Sequence, residues 1–139
     1  MASMSTEQRD AFLRETRIAT LITLNRDGSP SAVPVWYEWD GEAARVFTGR
    51  DSGKIARLRG DSRVSLSVAE PVGVPEAWVT VEGTATIEEE GGYALAERLA
   101  RRYYTAEKAA AVLPRWQRMS DQWVVIVIQP GRIRSSAPE

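Results

Sequence analysis

The chain has no cysteine and no histidine. The first absence excludes disulfides, thiolate nucleophiles and zinc–sulfur centres. The second removes the commonest general base and the commonest transition-metal ligand, and with them Ser-His-Asp and Cys-His catalysis within one chain. Lysine is scarce, with Lys54 and Lys108 standing against sixteen arginines. Long apolar runs are missing too. The longest aliphatic stretch, Val124–Ile128, suits a strand and is far too short for a membrane span. Met1-Ala-Ser-Met-Ser is polar and soon charged, unlike a signal peptide, so a cytoplasmic location is expected.

What is present bounds the rest. A chain of 139 residues is long enough for one domain with a core, expected over 1–139, with 1–7 and 134–139 flexible. Hydrophobic residues make up 43% and charged residues 27%, a balance that suits a globular fold. The net charge of −1 gives no overall pull towards nucleic acid or an anionic surface. Positive charge is local: Arg50, Lys54, Arg57, Arg59 and Arg63 are opposed only by Asp51 and Asp61. If the protein is an enzyme, a bound cofactor carries the chemistry.

Periodicity organises the chain. Ser5-Thr-Glu-Gln8 reads as a capping box for a short helix to about Glu15. Ile18–Leu24 is rich in β-branched residues and reads as a strand, followed by the turn signal Asn25-Arg-Asp-Gly28. Ser31–Trp39 alternates as one strand, with Pro34 marking an edge, a bulge or a ligand face. Asp40-Gly41 is a hairpin turn before the strand Ala44–Thr48. A helix is expected over 52–60, with Gly60 just past its end. Strands follow over 63–68 and 78–87, the latter with Gly83 at a bulge or bend. Helices are expected over about 92–104 and from Thr105 to Leu113, the second stopped by Pro114. The last strand spans 122–129, and Pro130-Gly131 ends it. The chain is therefore mainly β: a six-stranded antiparallel barrel with peripheral helices, too tightly spaced for repeated βαβ crossovers.

Thr48-Gly-Arg-Asp-Ser-Gly-Lys54 runs off a strand into a helix start. Such a start offers free N–H groups and a positive dipole end, and hydroxyl, guanidinium and ammonium groups there suit a phosphate. It is not a Walker A loop, because Ile55 stands where Ser or Thr must hold magnesium. An ordinary solvated helix start is the competing reading. Trp36 and Trp78 each sit opposite the apolar face of their strand, so each needs a cover: a helix, a second subunit or a planar cofactor. No paired carboxylates at productive spacing or metal-ligand clusters are evident.

Taken in order, these segments resemble the pyridoxamine 5'-phosphate oxidase-like split β-barrels, which bind FMN or the deazaflavin coenzyme F-420. The resemblance rests on Arg17–Leu24, Asp27–Pro30, Pro34–Tyr37, Thr48–Lys54, Val79–Gly83 and Trp123–Pro130. It implies that Pro34, Val35 and Trp36 lie against the tricyclic ring. It implies that Thr48, Arg50, Ser52 and Lys54, with Gly49 and Gly53 between them, hold the phosphate. It implies a homodimer in which Trp78, Trp116 or Trp123 closes the partner's site. Where the family commonly has Arg-Lys this chain has Gly53-Lys54, and Arg50 or Arg57 is expected to compensate. The true oxidases use a histidine for pyridoxal phosphate, so that activity is not expected. The basic helices favour F-420, whose tail carries extra carboxylates, with FMN as the alternative. The implied activity is hydride transfer to a conjugated or quinone-like small molecule, with a proton from water, Tyr103 or Tyr104. A non-catalytic binder of a flavin, deazaflavin or haem-like ligand is the rival. No nucleic-acid partner is expected, because the basic patch is single and confined.

Overall fold

The computed structural model describes all 139 residues. Its strands are β1 (Ala19–Leu24), β2 (Pro30–Val35), β3 (Glu38–Trp39), β4 (Ala44–Gly49), β5 (Arg63–Ala69), β6 (Trp78–Glu88) and β7 (Trp123–Ser136). Its helices are α1 (Thr6–Arg14), α2 (Gly53–Gly60), α3 (Gly92–Tyr103) and α4 (Ala106–Arg118), and a short 3-10 turn, Ser120–Gln122, precedes β7. The capping box forms as read: Ser5 Oγ accepts from the Gln8 N–H while the Gln8 side chain accepts from the Ser5 N–H.

One antiparallel sheet runs in the order β2-β1-β5-β6-β7-β4-β3. Its two edge strands, β2 and β3, are joined by only Trp36 and Tyr37. The chain therefore steps from one edge of the sheet to the other, which curls the sheet into a split barrel. This corrects the expected strand count from six to seven. Residues 31–39 alternate throughout, but the strand breaks where it changes partner, pairing with β1 before Trp36 and with β4 after Tyr37. Tyr37 anchors the step. It is fully buried, and its hydroxyl donates to the Leu13 carbonyl at 2.8 Å. Pro34 sits on an edge strand, where a missing N–H is tolerated.

Two further expectations are overturned. Pro114 does not stop α4, which continues to Arg118 with the proline inside it. The helix keeps its direction because Leu113 and Ala109 are buried against Ala100 of α3, and that packing outweighs one lost hydrogen bond. Nor does Pro130-Gly131 end the last strand. β7 runs on to Ser136 across a register shift opposite Glu82 and Gly83. The bulge absorbs the proline, so pairing resumes beyond it. Ala2 bridges Ala137, and the Met4 N–H donates to Ser135 Oγ at 2.9 Å, so both chain ends are paired.

Inward residues of β1, β5, β6 and β7, among them Leu21, Leu66, Val81 and Ile126, fill the barrel together with Phe12 and Leu13 of α1. A smaller cluster joins Leu95 and Leu99 of α3 to Val125 and Val127, with Trp36 and Phe47 packed on it. That second layer carries the site.

Candidate functional site

Two strands face each other across the split without pairing: β2 and the middle of β4. Their side chains leave an open groove of about 310 Å³, lined by Pro34, Val35, Trp36, Phe47, Tyr104 and Trp116 with Lys54 at its polar end. The volume lies at the small end of the range for small-molecule sites.

Local sequence explains each wall. Along β4 burial alternates, so Val46 turns into the barrel while Phe47 and Arg45 turn out. Trp36 also points away from the barrel. It is covered by α3 and α4, stacking on Tyr103 at 5.0 Å between ring centroids and meeting Tyr104 edge-on at 4.7 Å. Trp116 closes the cluster, 6.5 Å from Trp36 and 6.0 Å from Phe47. The indole of Trp123 is 5.5 Å from Phe47 and donates to the Trp116 carbonyl at 3.2 Å. It buttresses the cluster and is absent from the groove lining.

The two tyrosines differ in availability. The Tyr103 hydroxyl donates to the Arg17 carbonyl at 2.6 Å and accepts from the Tyr37 N–H at 3.4 Å. Burial pushes its pKa up. Tyr104 lines the groove, with the Lys108 ammonium 4.7 Å from its ring.

At the polar end, α2 begins without a side-chain cap. Ser52 occupies the N-cap position, but its hydroxyl is paired with Thr48 Oγ1 at 3.1 Å. The Ile55 N–H bonds to the Ser52 carbonyl at 3.2 Å, while the N–H groups of Gly53 and Lys54 are left to another acceptor. Lys54 stands beside them and has no carboxylate partner. The local ion pairs are Arg50–Glu89, Arg59–Glu89 and Arg63–Asp61. Burial lowers the Lys54 pKa from its ordinary value of 10.5, and the nearby Arg57 charge lowers it further. Two cations held close without an intervening anion are electrostatically incomplete. An alanine at Gly53 would put its Cβ 3.0 Å from an Arg57 Nη atom, which places that guanidinium against the helix start.

The structure brings Pro34, Val35, Trp36, Lys54 and Trp116 to one groove and leaves other expected residues outside its lining. Arg50 turns away: Nε and Nη2 donate to the Asp121 carbonyl at 3.2 and 2.9 Å, and Nη1 pairs with Glu89. Arg57 Nε donates to Thr23 Oγ1 at 2.7 Å, holding α2 on β1. Thr48 is buried and Gly49 pairs with Trp123, so both serve the turn. Trp78 does not reach the groove at all; it lines a different cavity, with Arg134 over its ring at 5.7 Å. Phe47 went unpredicted as a groove residue, whereas Tyr104 had been named with Tyr103 as a proton donor. Phe47 carried a signal, a large aromatic sharing the outward parity of Arg45. Which of the two tyrosines lines the groove depends on how α3 packs, and it is Tyr104.

A family model described as Pyridoxamine 5'-phosphate oxidase matches residues 5–137. The chain belongs to the pyridoxamine 5'-phosphate oxidase family. Solved relatives agree with this family's split barrel. A conserved hypothetical protein from Mycobacterium tuberculosis is 31% identical, with a TM-score of 0.77 over 96% of this chain and 85% of that one. A protein named F-420 reductase is 23% identical, with a TM-score of 0.72 over 89% of this chain and 94% of that one. A FAD-binding protein from Mesorhizobium loti is 20% identical, with a TM-score of 0.66 over 96% and 93%. The last two likenesses concern the fold. No curated protein matches the chain. No helix is long and apolar enough to cross a membrane, and no group of acidic side chains is arranged to hold a metal ion.

Proposed function

We propose that this chain is a flavin-type oxidoreductase that uses reduced deazaflavin F-420, with FMN as the alternative cofactor, on a conjugated or quinone-like small molecule. One observation carries the reading: an unpaired lysine at an uncapped helix start stands at the end of an aromatic groove. The residues fit such a cofactor. The Lys54 ammonium and the N–H groups of Gly53 and Lys54 suit its phosphate, while Val35, Trp36 and Phe47 offer apolar surface to a flat ring. When bound, the reduced ring supplies a hydride, and the protein's part is to place it and keep water out. Trp36 and Trp116 offer apolar walls that would shield a bound ring from water. The Tyr104 hydroxyl, rather than that of Tyr103, is positioned to hold a proton there, because Tyr103 is committed to Arg17 and Tyr37.

F-420 is preferred over FMN because Arg115 and Arg118 flank Trp116 on α4, both exposed, and offer charge to a carboxylated tail. Titrating the protein with each cofactor tests this. Failure of both to bind below about 100 μM, roughly 5 to 6 kcal/mol of binding free energy, ends the reading. Turnover with reduced cofactor and a panel of quinones separates an enzyme from a non-catalytic carrier, the second reading.

Affinity should depend on pH through Lys54. An anion binds the charged ammonium and raises its pKa. Binding is therefore strongest below the lowered pKa of the free protein and falls progressively as pH rises from there to the raised pKa of the complex. Affinity measured from neutral to alkaline pH should fall earlier than for an ordinary lysine, and Lys54→Arg should move the fall upwards. A flat profile places the anion elsewhere.

The homodimer implied by the family is part of this proposal. On the outward face of β1 and β5, Thr20 pairs with Ser67 and Ile22 with Ser65, an uncharged patch with Arg63 at its end that supports docking of a second copy. Ser65→Arg should convert a dimer to a monomer in sedimentation while thermal stability is kept. An unchanged sedimentation coefficient places the seam on another face.

A further inference from the structure

Helix α4 carries one basic residue that the helix itself does not explain. Arg115 and Arg118 lie in its last turn, where the helix dipole favours a cation. Lys108 lies in its first turn, just after the N-cap Thr105, where the dipole disfavours one. The residues three and four positions away are Tyr104, Thr105, Ala111 and Val112, so no carboxylate on the helix surface compensates. None of the ion pairs of the fold includes Lys108.

Spacing sets where this charge stands. Tyr104, Lys108, Val112 and Trp116 recur every four residues and form one stripe along α4. The Tyr104 and Trp116 rings are 6.4 Å apart, and both line the groove. Lys108 Nζ lies 4.7 Å from the Tyr104 ring centroid. An ammonium drawn to a ring face keeps N–H donors for an anion. Lys108 is therefore an exposed cation at the lip of the groove. Inside the groove Lys54 is the one charged lining residue, and the cofactor phosphate claims it. An anionic group on a second molecule sharing the groove has Lys108 to meet.

We propose that Lys108 selects acceptors that carry a carboxylate. The conjugated body of the acceptor rests on Tyr104 and Trp116, and its carboxylate accepts from the Lys108 ammonium. The inference rests on the oxidoreductase reading and narrows its substrate to an anionic conjugated acid. The acceptor gains a hydride from the reduced ring and a proton, two electrons in all, and its carboxylate takes no part in that step. Lys108 is thus a specificity determinant that favours occupancy by a charged acceptor without touching the reacting atoms.

Calorimetric titration of the full chain, with and without saturating oxidised cofactor, compares 2-naphthoate with 2-naphthamide. The two probes share a ring and differ in charge. Naphthoate should bind about tenfold tighter at low salt, and the preference should shrink as salt is raised. Lys108→Gln should remove the preference, and Lys108→Arg should keep it. The side chain is exposed and opposes the dipole, so the melting temperature of Lys108→Gln should not fall. In cofactor-free Lys54→Ala the preference should remain; its disappearance there would put the carboxylate at the start of α2 and overturn the proposal. Turnover adds a second readout. Lys108→Gln should raise KM for a carboxylated naphthoquinone about tenfold relative to the neutral quinone, with kcat kept. Equal affinity for the two probes, a preference that survives Lys108→Gln, or weakened cofactor binding in that variant would each overturn the proposal. The last result would assign Lys108 to the cofactor's own tail. Failure of the cofactor to bind while the Lys108-dependent preference persists would instead sink the oxidoreductase reading and keep the carboxylate site, so the two failures are told apart.

Discussion

Lys54→Ala is expected to weaken flavin or deazaflavin binding by roughly 10- to 100-fold while leaving the fold intact. The magnitude follows from a charge-assisted hydrogen bond worth about 1.5 to 3 kcal/mol, where each 1.4 kcal/mol is tenfold. The selectivity follows from position. Within α2 the core is filled by Ile55 and Leu58, whereas Lys54 bonds to no carboxylate and supports no neighbouring element. Its removal relieves the repulsion from Arg57 in the free protein. Fluorescence titration and a thermal melt on the same preparation check both halves. Normal affinity in the variant would leave the uncapped helix start without a role. Arg57→Ala makes an informative contrast. It also strips the hydrogen-bond donor from Thr23, which is buried, so it should lower stability as well as affinity.

Gly83→Ala is expected to be the most damaging single-methyl change to the fold. A Cβ at this position would lie 1.9 Å from the Gln129 carbonyl oxygen and 3.0 Å from the Gly131 nitrogen, both backbone atoms of the paired strand. No side-chain rotation relieves such contacts, so β6 and β7 would have to separate at the bulge. Overpacking of a well-filled site costs about 1 to 3 kcal/mol, and a clash between paired backbones belongs at or beyond the upper end. Since β6 and β7 form the longest ladder in the sheet, the cost falls on the whole barrel. A fall in the urea midpoint of Gly83→Ala well beyond that of Gly28→Ala checks this. Gly28 needs its positive φ of 86° but has open space around its Cβ position, so only backbone strain is felt there. Equal midpoints would mean that the bulge is compliant.

Much of the frame was legible in residue order. Alternation of Val64, Leu66 and Val68 against Arg63, Ser65 and Ser67 identifies both the strand and its inward face, and the burial of β5 follows it. Ser5 and Gln8 mark the α1 start, and a glycine in the middle of β6 marks its bulge. The errors share one cause. Trp36-Tyr37, Pro114 and Pro130 were each read locally, as a continuing strand, a helix stop and a strand stop. Contacts distant in sequence decide all three: partner exchange between β1 and β4, packing of α4 on α3, and the long ladder with β6.

The candidate site divides the same way. Lys54 was identifiable from its own segment, because the strand-to-helix handover and the helix dipole are local properties. The fates of Arg50 and Arg57 were not, since Asp121, Glu89 and Thr23 lie far along the chain. Nor was the exile of Trp78 to a second cavity, or the choice of Tyr104 over Tyr103 for the groove.

Sequence alone settled which residues face inward, where the helices begin and where a cation waits at a helix start, since these depend on neighbours a few positions away. Tertiary structure alone settled that the sheet splits between β2 and β4, which aromatics meet across that split, and which arginines keep their charge free. Such outcomes arise when strands remote in sequence share a register, and no short window of residues contains that information.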